Sequence, residues 1–313
     1  MKIINKYTFI FFAAALVVVS VVYSCKNKNE NGEEIIEETL TSGKATLVTD
    51  NTVAPIIEDV LAVFHSVYPR AEITQVNKPQ QDIINALLQD SISVAVLSRK
   101  LTPEEEKHFT NRKITPRVTE FAKDAIALLS NNKRNDTVVK LEDVLNVLKG
   151  KPTGNIKSLV FDNPGSSTLE YMKQLAGIDK LPQEGIYAFK TNEDVIKYVH
   201  DNDGAIGVIG INWIVQAPPH LTQYINEITV LAVDNAEADK GEEKYYKPNQ
   251  SNIATGDYPL IRTLYVVNYQ GRLGLGMGFD TYISAREGQR IILKSGLLPI
   301  DIPTREISVR KKL

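Results

Sequence analysis

Short apolar runs and helical patterns alternate along the chain from residue 45 onward. Runs rich in β-branched residues at 45–50, 71–76 and 92–98 predict strands, because such side chains pack well on a pleated surface. Between these runs, apolar residues recur at helical spacing, as Ile56, Val60 and Phe64 do. The alternation predicts an open α/β fold in which helices cover both faces of mostly parallel sheets.

The second part of the chain repeats this alternation. Strands are predicted at 157–162, 186–190, 205–210 and 260–268, and a long final helix is predicted at 276–296. The pattern favours two α/β lobes over one sheet that holds every strand.

The first residues have a different character. Lys2 and Lys6 precede an apolar run from residue 7 to residue 22, which is typical of a signal peptide. The letters VYSC resemble the lipobox of bacterial lipoproteins, so we expect residues 1–24 to be removed and Cys25 to be lipidated. Residues 25–41 then form a polar tether. The alternative is an uncleaved membrane anchor with an incidental cysteine.

Charge and motifs narrow the function classes. The formal net charge is −2, with both signs interspersed, which argues against nucleic-acid binding and requires any anion site to be built locally. The four histidines have no metal-ligand spacing. The sequence contains neither the nucleotide-binding motif G-x-x-x-x-G-K-[ST] nor the nucleophile motif G-x-S-x-G of hydrolases. We therefore expect no cofactor, no metal and no catalytic residue.

Three predicted strands end in small polar residues just where a helix begins, which is where open α/β sheets bind ligands. Helix starts expose unpaired N–H groups and suit anions, although the same residue types are also ordinary helix caps. The candidate ligand-binding residues are Asp50, Asn51 and Thr52 in the first loop, Ser98 and Arg99 in the second, and Asp162, Gly165, Ser166, Ser167 and Thr168 in the third, which also contains Asn163.

With these loops, and with segments such as SAREGQRIILKSGLLP at 284–299, the chain resembles substrate-binding proteins of phosphate ABC transporters. The resemblance covers roughly residues 42–307. It implies a two-lobed periplasmic-binding fold of type II with a two-stranded hinge. Residues 42–122 with 262–313 would form one lobe and 123–261 the other.

The loops depart from the family pattern at two places. Asp162 stands where the family usually has arginine, and Arg99 stands where it usually has aspartate. We interpret this as a compensated exchange in which Arg99 holds the anion. Asp162 would then accept the proton of hydrogen phosphate and repel sulfate, with Asp50 as a second candidate acceptor.

The resemblance implies a non-enzymatic, lipid-anchored protein of the bacterial cell envelope, on the periplasmic or outer-membrane side. It would capture phosphate or a similar oxyanion for an ABC permease. The alternative is a surface lipoprotein of the same fold that acts in protein–protein interaction or binds a different small ligand. Scattered charges give no reason to expect nucleic acid as a partner.

Overall fold

The computed structural model describes residues 37–302, except 134–135, 152 and 237–241. The predicted signal peptide, Cys25 and most of the tether lie outside the described residues. The strands are β1 (Gly43–Asp50), β2 (Ala71–Lys78), β3 (Val94–Leu97), β4 (Arg117–Asn131), β5 (Val138–Val139), β6 (Ser158–Phe161), β7 (Ile186–Ala188), β8 (Ala205–Gly210), β9 (Ile228–Val230), β10 (Ala232–Asp234), β11 (Tyr245–Tyr246), β12 (Ile261–Asn268) and β13 (Leu298–Pro299).

The α-helices mostly follow strands, as the alternation predicts. They are α1 (Ala54–Val67), α2 (Gln80–Leu88), α3 (Pro103–Thr110), α4 (Leu141–Leu148), α5 (Ser167–Ala176), α6 (Asn192–Asp201), α7 (Asn212–Val215), α8 (Thr222–Ile225), α9 (Gln250–Thr255), α10 (Leu275–Ser284) and α11 (Arg286–Lys294). Helix α3 begins with the capping box that its sequence predicts, with Thr102 as N-cap and Glu105 completing the box.

One mixed sheet carries most strands, in the order β2-β1-β3-β12-β4-β8-β6-β7, and β9 and β13 also pair with β4. β4 links the two parts of this sheet, because β12 pairs with it up to Ala125 and β8 pairs with it from Ile126. We name the strands β2, β1, β3 and β12, with β4 up to Ala125, the first half. The remainder of β4 with β8, β6 and β7 is the second half, and each half includes the helices that pack on it.

Each half has a buried core. In the first half, Phe64 and Phe279 belong to one apolar cluster, and Ile83 and Phe109 belong to another. The second half has its own cluster, which includes Phe161. Strands β3 and β8 are buried at every residue, as expected for strands with helices on both faces. The predicted α/β class is confirmed.

The structure corrects two details of the predicted fold. All the large strands share one curled sheet, because the 15-residue β4 is long enough to serve both halves. The predicted final helix is broken at Ala285, which has extended φ and ψ angles of −80° and 170°. Gln289 of α11 donates through Nε2 to the carbonyl of Ile283, 2.8 Å away, and so satisfies a carbonyl at the end of α10.

The last residues of the predicted tether contact the folded part. A Cβ atom at Gly278 would lie 1.7 Å from the carbonyl oxygen of Leu40, so only glycine allows this close approach. Glu38 pairs with Arg272 at 2.6 Å. Among the described residues, no helix has the length and apolar character needed to span a bilayer.

Candidate functional site

The first loop follows β1 directly. A short 3-10 helix, Asn51–Val53, joins Asp50 to α1, and both Asp50 and Thr52 are fully buried. The Asp50 side chain accepts from the backbone N–H of Thr52 at 3.0 Å through Oδ1. Its Oδ2 has no hydrogen-bond partner among the described residues. Because buried carboxylate oxygens normally have a partner, Asp50 Oδ2 is available to a further donor.

The third loop folds onto its own carboxylate. Ser166 caps α5 and donates its hydroxyl to Asp162 Oδ1, while Asn163 Nδ2 donates to Asp162 Oδ2 at 2.6 Å. Thr168 Oγ1 lies 2.8 Å from Ser166 Oγ. Ser166 therefore acts as a helix cap and also as a donor to Asp162, so each Asp162 oxygen already accepts one hydrogen bond from this loop.

A buried ion pair joins the two long strands where the halves meet. The register of β4 and β12 places Asp124 opposite Arg262, and both side chains are at most 2% exposed. Arg262 donates to Asp124 Oδ2 through Nε at 2.9 Å and through Nη2 at 2.7 Å. The guanidinium is thus held rigidly at the junction of the halves.

Arg262 also connects the first and third loops. Its Nη2 donates to Thr52 Oγ1 at 2.9 Å, and its Nη1 donates to Ser167 Oγ at 2.8 Å. The two hydroxyl oxygens are themselves 2.9 Å apart. Hydroxyls from the first and third loops, which lie in different halves, therefore meet at one guanidinium.

Further contacts hold the first loop against the second half. Asn212 Nδ2 donates to the carbonyl of Thr52 at 2.9 Å, and Trp213 Nε1 donates to the carbonyl of Asn51 at 3.1 Å. A Cβ at Gly210 would lie 2.6 Å from the Thr52 carbonyl oxygen, so a side chain there would force the loop away. The two halves are therefore in direct contact at the first loop.

The second loop lies at another part of the seam between the halves. Ser98 donates to Gln80 Oε1 through its backbone N–H at 3.0 Å and through its hydroxyl at 2.8 Å. Arg99 donates to Glu105 through Nη1 and Nη2, at 2.8 and 3.0 Å, and to Glu170 through Nε at 2.8 Å. The Arg99 guanidinium is therefore occupied by two carboxylates.

Three buried carboxylates, Asp50, Asp124 and Asp162, accompany the single guanidinium of Arg262. Burial raises the pKa of Asp162 to about 7, and the neighbouring charge of Asp50 adds to the rise, while Ser166 and Arg262 oppose it. Burial also raises the pKa of Asp124, against the effect of Arg262. Burial therefore favours the protonated forms of Asp124 and Asp162.

The sequence-predicted residues fall into two groups. Asp50 and Thr52 of the first loop lie together with the third loop, whose members Ser166, Ser167 and Thr168 are buried. Ser98 and Arg99 of the second loop form the other group, at the contact with Gln80 and Glu170. The backbone carbonyl of Asn51 accepts hydrogen bonds from the side chains of Trp213 and Asn192 in the second half. Gly165 faces α2, where a Cβ would lie 3.3 Å from the Cβ of Gln81.

Sequence reasoning missed Arg262 and Asp124. A signal was present, because each is a charged residue at or in a run of mostly apolar residues, LIRTLYVVN at 260–268 or DAIALLS at 124–130, that is typical of a buried strand. Charges in such strands are rare unless they are paired. Their pairing itself depends on a register between residues 138 positions apart, which no local pattern shows.

Comparison with known proteins gives the family. The family model described as the PBP superfamily domain matches residues 37–287 of the sequence. The chain belongs to the PBP superfamily. This PBP chain is 24% identical over 299 residues to the phosphate-binding protein PstS of Borreliella burgdorferi, covering 90% of this chain and 95% of that protein.

Two solved structures have the same fold as this PBP chain. One is a putative phosphate ABC transporter substrate-binding protein with bound phosphate from Clostridium perfringens, with a TM-score of 0.68 and 19% identity over 83% of this chain and 100% of that chain. The other is an ABC-type phosphate transport receptor from Vibrio cholerae, with a TM-score of 0.60 and 18% identity over 82% and 100% of the two chains. These likenesses establish the two-lobed type of fold.

Proposed function

We propose that this PBP chain captures phosphate, or a similar small oxyanion, between the two halves of its sheet and passes it to an ABC-type permease. The observation that carries the proposal is the meeting of Thr52 and Ser167, from different halves, at the buried guanidinium of Arg262. The names of its relatives support the choice of phosphate. We propose that the halves correspond to the two predicted lobes, 42–122 with 262–313 and 123–261, with the boundary on β4 between Ala125 and Ile126, and that β4 and β12 are the crossing strands.

The proposed ligand contacts are hydrogen bonds that the site can redirect. The hydroxyls of Thr52 and Ser167, which now face each other, donate to anion oxygens when the ligand enters between them. Arg262 and the N-terminal amides of α5 add donors. Hydrogen bonds to charged groups contribute about 1.5–3 kcal/mol each, so several of them exceed the roughly 8 kcal/mol of micromolar binding before ordering costs. Binding requires no covalent chemistry, so the proposal assigns no catalytic residue, metal or cofactor.

A ligand proton needs an acceptor, and two carboxylates compete for that role. Both oxygens of Asp162 accept hydrogen bonds from its own loop, whereas Asp50 Oδ2 has no partner among the described residues. We therefore assign the ligand proton to Asp50. Asp162 instead organises the third loop.

The excess of carboxylates over cations favours a second candidate function, the binding of a small neutral or zwitterionic ligand in the same cleft. Asp50, Asp124 and Asp162 are all buried beside one guanidinium, so three carboxyl groups accompany a single cationic group. The dihydrogen-phosphate monoanion adds one negative charge to this set of groups, whereas the hydrogen-phosphate dianion adds two. The two candidates differ in whether any oxyanion binds.

Calorimetric titration tests the proposal. The full chain, purified in detergent, is titrated with phosphate, sulfate and methylphosphonate at pH 6 and pH 8. We expect micromolar binding of phosphate that is stronger at pH 6, and no heat with sulfate. Absence of heat with all three anions would refute the oxyanion proposal and favour the second candidate.

Variants separate the residue assignments. Arg262→Lys keeps a charge beside Asp124 but loses the two Nη atoms that reach the hydroxyls of Thr52 and Ser167. We therefore expect at least tenfold weaker phosphate binding. Arg112→Lys, at an exposed arginine paired with Asp90, is the matched control. We expect sulfate binding to appear in Asp50→Asn and not in Asp162→Asn, and the reverse result would return the acceptor role to Asp162.

We propose that the protein is held at a bacterial membrane by lipid on Cys25, in the cell envelope. Cys25 is the only cysteine in the chain, and VYSC resembles a lipobox. Two or more acyl chains anchor a protein durably. Metabolic labelling with a radioactive fatty acid tests this, and incorporation that persists in Cys25→Ala would contradict it.

A further inference from the structure

A second set of contacts joins the halves away from the Arg262 site, and it centres on Glu170 of α5. Glu170 Oε1 accepts from Arg99 Nε at 2.8 Å, and Glu170 Oε2 accepts from Gln80 Nε2 at 2.9 Å. Glu170 belongs to the second half, while Gln80 and Arg99 belong to the first. Each carboxylate oxygen therefore holds one donor from the opposite half.

Both donors are fixed in place before they reach Glu170. Glu105, which accepts from the two Arg99 Nη atoms, is itself fixed by the capping box of α3. Gln80 accepts from the backbone and the hydroxyl of Ser98 through Oε1, which leaves its Nε2 pointing to Glu170. Pre-positioned donors lose little conformational entropy when the contact forms.

The neighbouring backbone supports closure at the same place. The N–H of Gln81 donates to the carbonyl of Gly165 at 3.4 Å, and Gly165 has Cβ atoms of Gln81 and Pro79 just outside the position of its missing side chain. The start of α2 thus lies directly on the third loop. This seam is partly open to solvent, because the Arg99 and Glu170 side chains are 23% and 39% exposed.

We propose that Glu170, with Arg99 and Gln80, forms a clasp that holds the two halves closed and slows release of the bound solute. The slowing of release rests on the proposed solute-binding function, whereas the closure itself does not. Ser98 then acts as a positioning residue for Gln80. The contact is exposed enough to break and re-form, as a reversible closure requires.

The only tryptophan reports on closure without added probes or ligand. Trp213 donates to the carbonyl of Asn51 across the halves, at 3.1 Å, so opening would expose the indole to water. The experiment compares the fluorescence of the full chain in detergent with that of Glu170→Gln, in phosphate-free buffer. Glu120→Gln is the matched control, because Glu120 is 44% exposed and pairs with Lys100 inside the first half.

We expect the Trp213 emission of Glu170→Gln to shift to longer wavelength, and that of Glu120→Gln to match the wild type. We also expect phosphate release, followed by stopped flow, to be about two- to fivefold faster in Glu170→Gln, in line with the loss of one partly exposed charged contact. Arg99→Gln should give the same shift, and the double variant should add little to either single variant.

An unchanged emission in Glu170→Gln, or fully additive effects of the two substitutions, would overturn the clasp. Failure of the proposed function has a different signature. If the emission shifts but no oxyanion gives heat in the calorimeter, the clasp holds and the ligand assignment is wrong.

Discussion

The stability of the ligand-free protein should fall as the pH rises, because Asp162 holds a proton in the folded state that it loses at higher pH. Asp162 is fully buried, and its pKa of about 7 compares with about 3.9 for an unfolded chain. Between these values the folded state holds a proton that the unfolded state has released. The unfolding free energy therefore decreases with rising pH across this window.

The size of the effect follows from the two pKa values. Linkage gives a loss of about 2.5–3 kcal/mol from Asp162 between pH 5 and pH 8. Asp124, whose pKa is also raised by burial, adds a separate decrease in the same direction. The difference between the wild type and Asp162→Asn therefore isolates the contribution of Asp162.

Urea unfolding followed by circular dichroism, at pH 5 and pH 8 in phosphate-free buffer, measures this difference. We expect the loss of stability between the two pH values to be smaller by about 2.5–3 kcal/mol in Asp162→Asn than in the wild type. Asp82→Asn, at an exposed carboxylate on α2, is the control and should leave the loss unchanged. An equal loss in Asp162→Asn and the wild type would refute the buried, proton-holding carboxylate.

Two further predictions concern the junction of the halves. Arg262→Met should lower the unfolding free energy in urea by about 3–5 kcal/mol, because Asp124 is left buried without its cation, and adding Asp124→Asn should recover part of the loss; a loss no larger than that of Arg112→Met would contradict the buried pair. Gly210→Ala should weaken phosphate binding in calorimetry and lower the unfolding free energy by about 1–3 kcal/mol, because its Cβ meets the Thr52 carbonyl, and wild-type values would show that the close approach is absent in solution.

Local sequence signals were sufficient for most of the fold. The β-branched run at 45–50 predicted β1 because strand preference and burial act within a few residues. The capping box at Thr102 was equally readable, since both of its partners lie within one turn. The break at Ala285 was not, because it depends on Gln289 turning back to cap α10 and to donate to the distant carbonyl of Phe121.

The candidate site was predictable only in part, for the same reason. Strand ends marked the first and third loops, and the structure brings them together at Thr52 and Ser167. The choice of Arg99 as the anion-binding cation stays a prediction. Its pairing with Glu170 could not be read from the loop, because Glu170 lies 71 positions away. Long-range pairing decides which arginine lies between the first and third loops.

A crystal structure of the protein grown with phosphate tests the central claim most directly. The account predicts a tetrahedral anion between the halves, with oxygens at hydrogen-bond distance, about 2.7–3.2 Å, from Arg262, Thr52 and Ser167. A bound anion that contacts only one half, or that leaves Arg262 untouched, would contradict the account.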